Sequence, residues 1–143
     1  AQLHPRLRAD PRITAFEGIN CRQLSASDLG AAYPAAGFAL IVADLSFISL
    51  TLILPQLPPL LAATGQMLLL VKPQFELDPA ALNKSGVVRD PARYAEVEQK
   101  LRGAAAAAGL SVKAWFDSPI IGGGVGKQAG NREFFLWVEH GKP

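Results

Sequence analysis

Two apolar runs, Phe38-Ala39-Leu40-Ile41-Val42-Ala43 and Gln66-Met67-Leu68-Leu69-Leu70-Val71, each stop on a charge, Asp44 after the first and Lys72 after the second. Neither alternates polar with apolar residues. That is the pattern of strands covered on both faces, which belong to parallel sheets flanked by helices. Parallel neighbours require a right-handed crossover. The chain from Leu50 to Ala63 is long enough to supply one, with Leu52, Ile53, Leu57, Leu60 and Leu61 as its apolar face. Pro55, Pro58 and Pro59 predict that this helix is short, kinked or partly irregular. Asp44 and Lys72 are then expected to be neighbours at the carboxyl edge of the sheet, where ligands bind in such folds. Lys72, followed at once by Pro73, is either a candidate for chemistry or the residue at which the chain regains solvent.

The flanking sequence fills in an α/β domain. A helix fragment is expected within Gln2 to Arg8 and a short strand over Ile13 to Glu17. A short helix capped by Ser25 to Asp28 should run toward Ala32. Leu77 to Arg89 has no periodic apolar face and reads as a long loop over the carboxyl edge. Asp90 and Pro91 announce a helix over Ala92 to Ala108, ended by Gly109; its run of five alanines reads as a tightly packed helix end. Ser111 to Phe116 and Arg132 to Val138 read as strands. With no helix between them, they are expected to pair antiparallel.

Several function classes are excluded or left unsupported. The 143 residues suffice for one domain with a core, and a formal net charge of +2 is too small to indicate nucleic-acid binding by itself. Cys21 stands alone, so an internal disulfide is impossible, and a reducing compartment fits. His4 and His140 lack metal-ligand spacing, so no metal site is expected. No apolar segment reaches the roughly 18 residues of a membrane span, and the first residues lack the pattern of a signal peptide, so a cytoplasmic protein is expected. Gly122-Gly123-Gly124-Val125-Gly126-Lys127-Gln128 invites a phosphate-loop reading, but Gln128 stands where Ser or Thr is needed and a strand rather than a helix follows. A flexible or substrate-touching loop is the better reading.

Four ordered blocks carry a family resemblance: Asp44-Leu45-Ser46-Phe47-Ile48-Ser49, Val71-Lys72-Pro73-Gln74-Phe75-Glu76, Gly86-Val87-Val88-Arg89-Asp90-Pro91 and Gly130-Asn131-Arg132-Glu133-Phe134. In this order they resemble the TlyA-type ribosomal RNA methyltransferases, often labelled hemolysins, within the FtsJ-like 2′-O-methyltransferases. The resemblance implies a Rossmann-like S-adenosylmethionine-dependent fold, with a mostly parallel sheet and an antiparallel last strand. Residues 1–143 would be the carboxyl-terminal part of that domain, without its first strands, its glycine-rich donor loop or the amino-terminal RNA-binding domain. It also implies S-adenosylmethionine as donor and a ribose 2′-hydroxyl of ribosomal RNA, on cytidine, as acceptor. Of the family's Lys-Asp-Lys-Glu tetrad, Asp44, Lys72 and Glu133 match the last three members, and the first lysine is expected upstream of Ala1. Asn20 and Asp44 fall where such folds touch the donor, although Asn20 is also a natural turn residue.

The residues support this chemistry independently. A ribose hydroxyl is a poor nucleophile at neutral pH, so a group that accepts or orients its proton helps methyl transfer. For Lys72 to act as base, its pKa, about 10.4 in model peptides, must fall, and the carboxylates of Asp44 and Glu133 pull the other way. Base and orienter both stay open. Methyltransferases acting on exocyclic amines carry paired prolines after the equivalent acidic or amide residue. Asp44-Leu45-Ser46-Phe47 has none, which favours a hydroxyl acceptor. Lys84, Arg89, Lys127 and Arg132 are candidate phosphate contacts or scattered surface charge. Phe47 and Phe75 are expected to fill the core rather than stack on a base. The competing function is a non-catalytic RNA- or partner-binding domain that retains a truncated methyltransferase fold.

Overall fold

The two apolar runs form adjacent parallel strands of one four-stranded sheet. A computed structural model describes residues 2–122 and 130–142. In chain order the elements are α1 (Pro5–Arg8), α2 (Ala26–Leu29), β1 (Phe38–Ala43), α3 (Leu50–Ile53), β2 (Leu61–Val71), α4 (Arg93–Ala107), β3 (Leu110–Asp117) and β4 (Phe134–His140). The spatial order is β1-β2-β4-β3, with β1 parallel to β2 and β4 antiparallel to both of its neighbours. Three strands therefore run one way and the last runs against them, as the resemblance implies. The carboxyl ends of β1, β2 and β3 and the amino end of β4 meet at one edge.

The crossover is shorter than its apolar face predicts. Helix α3 makes one turn and passes into 3-10 turns at Leu54–Gln56 and Pro58–Leu60, each with proline in its first two positions. Proline has no N–H to donate, so an α-helical ladder cannot run through Pro55, Pro58 and Pro59. Leu52 is exposed, while Ile53, Leu54, Leu57 and Leu60 are buried. Strand β2 then begins at Leu61, five residues before the expected start at Gln66. Its register against β1 slips between Leu61 and Gln66. Gly65 sits in that irregular stretch because a Cβ there would lie 2.7 Å from the Phe38 carbonyl oxygen.

Helix α4 starts close to the expected position. The Ala92 N–H donates to the Asp90 carboxylate at 3.0 Å, and Gly109, at φ +78°, ends the helix. Of its alanine run, Ala105 is buried and Ala106 and Ala107 are exposed, so only one stripe of the helix end is packed. Ile13 to Glu17 is not a strand. No described strand lies beside it to pair its N–H and C=O groups, and Ile13 and Phe16 remain exposed.

The core lies on one face of the sheet. Leu50, Ile53 and Leu54 together with Val97, Leu101 and Ala105 of α4 cover Met67, Leu69, Val71, Leu136 and Val138. The opposite face does not match the expectation of strands buried on both sides. Leu40 and Val42 are 62% and 66% exposed there, and a groove runs between Leu40, Leu68, Phe116 and Trp137. The accessible surface is 9127 Å², against roughly 7,100 Å² expected for a compact monomer of this mass. None of the described helices is long and apolar enough to cross a membrane.

Candidate active site

Strand register assembles the site at the common edge. Ala43 pairs with Leu69, and Val71 pairs with Phe134, so the residues just beyond these pairs, Asp44, Lys72 and Glu133, emerge side by side. Lys72 Nζ lies 2.6 Å from Asp44 Oδ1 and donates to Ser46 Oγ at 3.1 Å. The Lys72 side chain is 15% exposed and that of Asp44 69%, so the pair sits at the mouth of the site with its acid facing solvent. Glu133 is buried. Burial raises its carboxyl above the usual carboxylate range; the Lys72 ammonium opposes this, the Asp44 charge adds to it and the Gln74 side chain opposes it. Three charged groups distant along the chain thus act on one another at one sheet edge.

Glu133 is seated by close backbone packing. Its carbonyl accepts from the Ser118 N–H at 2.8 Å, and Gly122 passes so near that a Cβ there would overlap the Glu133 carboxylate. Gly122 pairs with Asn131, which is fully buried. The Asn131 side chain accepts from the Val88 N–H and donates to the Gly86 carbonyl, both at 2.9 Å, and so ties the loop after β2 to the approach of β4. Replacing Asn131 with alanine would leave these backbone groups without partners. A loss of about 1–3 kcal/mol is expected by denaturant unfolding; a change within about 0.5 kcal/mol would show the latch to be dispensable.

Other expected residues are placed differently. Asn20 accepts from the Arg22 N–H at 3.0 Å and starts the 3-10 turn Cys21–Gln23, the behaviour of a turn residue. Lys84 and Arg89 are exposed on the loop that follows β2. Arg132 pairs with Asp117 at 2.7 Å and lies over the Tyr94 and Phe134 rings. Lys127 lies outside the described residues. Phe47 overturns the core expectation: it is 90% exposed, adopts φ +63° and touches Phe75 with ring centroids 5.0 Å apart. Phe75 is half-buried. A bulky residue at positive φ is a strained outlier, and such strain gathers at functional sites.

Three features escaped the sequence reading. Glu76 is buried and accepts from Ser49 Oγ at 2.6 Å and the Leu50 N–H at 2.8 Å. Gln74 Oε1 is buried without a hydrogen-bond partner among the described residues. Asn131 has the latch role given above. The signal for Glu76 and Gln74 was their presence in the turn after Lys72, a place where polar side chains must find partners or ligands. One open concavity lies apart from the charged cluster. That concavity is an open cleft of about 560 Å³ along Gln2, Leu3 and Ile13 to Gly18, and the chemistry is better located by the convergent side chains.

The family model described as FtsJ-like methyltransferase matches residues 1–140. The chain is 42% identical to the "Putative rRNA methyltransferase YqxC" of Bacillus subtilis, over 94% of this chain and 45% of that protein. It is 37% identical to the 16S/23S rRNA (cytidine-2′-O)-methyltransferase TlyA of Mycobacterium tuberculosis, over 96% of this chain and 47% of that one. A solved structure described as "Putative hemolysin from Streptococcus thermophilus" superposes with a TM-score of 0.84 at 36% identity, covering 98% of this chain and 47% of that one. The chain spans about half the length of the relatives it matches.

Proposed function

We propose, since this chain belongs to the FtsJ-like methyltransferase family, that its Asp44–Lys72–Glu133 cluster is the acceptor half of a ribosomal RNA ribose 2′-O-methyltransferase. The observation that carries the reading is the convergence of Asp44, Lys72 and Glu133 at one sheet edge. S-adenosylmethionine, when bound, supplies an electrophilic methyl group on a cationic sulfur. The chain's residues fit a cationic donor at Asp44, whose carboxylate is mostly exposed and has one oxygen on Lys72. Asn20 adds an exposed amide, although its oxygen is already used by Arg22.

The remaining roles follow from contacts. Lys72 has three N–H donors; two go to Asp44 and Ser46, and the third is available to hold the acceptor oxygen. Glu133 acts on the Lys72 ammonium through its charge and helps to hold it. Gln74 Oε1 offers a buried acceptor beside this cluster for a ligand hydroxyl. Phe47 turns its ring outward three residues after Asp44, where the nucleobase of the target nucleotide can stack. Lys84 and Arg89, exposed on the loop after β2, are the candidate phosphate contacts, and the Asp117 pairing of Arg132 argues for a bracing role.

The test is methyl transfer by the full polypeptide carrying these residues, using labelled donor and ribosomal RNA. The expected product is a ribose-methylated nucleotide whose 3′ linkage resists alkaline hydrolysis; label on a base nitrogen would overturn the hydroxyl assignment. Calorimetry with S-adenosylmethionine addresses the competing binding-domain reading. A binding isotherm from folded protein is expected, and absence of heat across several temperatures favours a non-catalytic module.

A further inference from the structure

We propose that Glu76 is a positioning residue, the second jaw of a clamp that holds Phe47 out toward the acceptor. The inference rests on the reading of Phe47 as a base-stacking residue. The turn after β2 grips the turn after β1 at two points. At the first, Lys72 reaches Asp44 at 2.6 Å and Ser46 at 3.1 Å. At the second, the Glu76 carboxylate takes the Ser49 hydroxyl at 2.6 Å and the Leu50 N–H at 2.8 Å. Phe47 lies between the two grips, at φ +63° and 90% exposed. Its one aromatic neighbour among the described residues, Phe75, belongs to the same gripping turn.

Strained backbone persists only where its surroundings over-determine it. Free of either grip, the segment from Leu45 to Ile48 can relax Phe47 toward negative φ and turn its ring elsewhere. The second jaw is buried and held from several sides. The Glu76 side chain is 2% exposed, and Lys100 of α4 approaches its carboxylate at 3.1 Å while donating to the Glu76 carbonyl oxygen at 2.7 Å. A buried carboxylate needs such donors, and here they come from α3, its cap and α4. Glutamine would keep the shape but replace one acceptor oxygen with an NH₂ group, which must face a donor.

The experiment is a double-mutant cycle on the full polypeptide with Glu76→Gln and Phe47→Ala. The readouts are kcat/KM for ribosomal RNA, the affinity for a single-stranded RNA oligonucleotide, and the KM for S-adenosylmethionine. Each single change is expected to lower RNA affinity and kcat/KM about tenfold, the scale of one lost base stack. The KM for the donor should stay within about twofold, which distortion of the donor site would not allow, and circular dichroism of each variant establishes that folded protein was assayed. The double variant should be within about twofold of Phe47→Ala alone, because Glu76 acts through Phe47. Additive losses approaching about a hundredfold would overturn the clamp, as would unchanged RNA affinity in Glu76→Gln. If Glu76→Gln does not fold, Lys100→Met removes the two Lys100 contacts, leaves those to Ser49 and Leu50, and must show the same non-additivity at smaller size. The parent reading fails separately: Phe47→Ala with normal RNA affinity refutes base stacking whatever Glu76 does.

Discussion

Replacing Lys72 with alanine is expected to lower methyl transfer by the full polypeptide about 10²–10³-fold, the scale on which a single preorganised electrostatic group acts. The fold should survive. The Asp44 side chain is 69% exposed, so that ion pair is solvent-screened and its loss should cost within about 1 kcal/mol, to which the loss of the Lys72 charge near buried Glu133 adds. Loss of rate without loss of structure separates a catalytic lysine from one that merely ends a strand. Lys72→Arg extends the test, because a planar guanidinium keeps the charge but cannot place three N–H groups around one point. It should be nearly as slow as alanine. Near-normal turnover in Lys72→Ala would end the catalytic assignment, and melting curves with circular dichroism would establish that folded protein was assayed.

Glu133→Gln should move activity and stability in opposite directions. Burial raises the Glu133 carboxyl above its unfolded value, with Lys72 opposing. In the interval between the unfolded and the raised folded pKa the native state holds the proton more tightly, so stability falls as pH rises through that interval. At neutral pH the ionised, buried carboxylate therefore costs the fold something, and an uncharged side chain of the same shape relieves it. Glu133→Gln should be more stable than the parent at pH 7 by under about 1 kcal/mol, and the advantage should close as pH drops below the ordinary carboxylate range. Methyl transfer should fall about tenfold or more, because Lys72 loses a countercharge that fixes it. A variant less stable at pH 7 than at pH 4, relative to the parent, would show that the carboxylate serves the fold rather than the reaction. Denaturant titrations at the two pH values provide that comparison.

Much of the site was legible because it is written at strand ends. A charge that follows an apolar run must leave the sheet at its edge, and neighbouring strands bring such charges together; Asp44 and Lys72 were placed by that logic and meet at 2.6 Å. The antiparallel pairing of β3 and β4 followed from the lack of a helix between them. Expectations failed where local pattern was overruled. The prolines shorten the crossover helix after Leu50 to one turn, as they predict, but its leucine periodicity does not show that Leu61 to Ala63 join β2. Ile13 to Glu17 carries the composition of a strand but has no described partner. Phe47 was assigned to the core because aromatic residues usually bury there, and no one-dimensional signal shows that its neighbours are fastened on both sides.

Order along the chain determined the four strands of the sheet, which way three of them run, and which charges stand at the ends of β1 and β2, since these depend on periodicity and on the chirality of crossovers. Tertiary structure alone decided that Glu76 and Asn131 would each join segments far apart in sequence, that Gly122 would lie against Glu133, and that Phe47 would face outward. Those outcomes rest on hydrogen-bond partners and close packing contributed by several elements at once. A partner 26 or 43 residues away leaves no periodic trace at the residue that needs it.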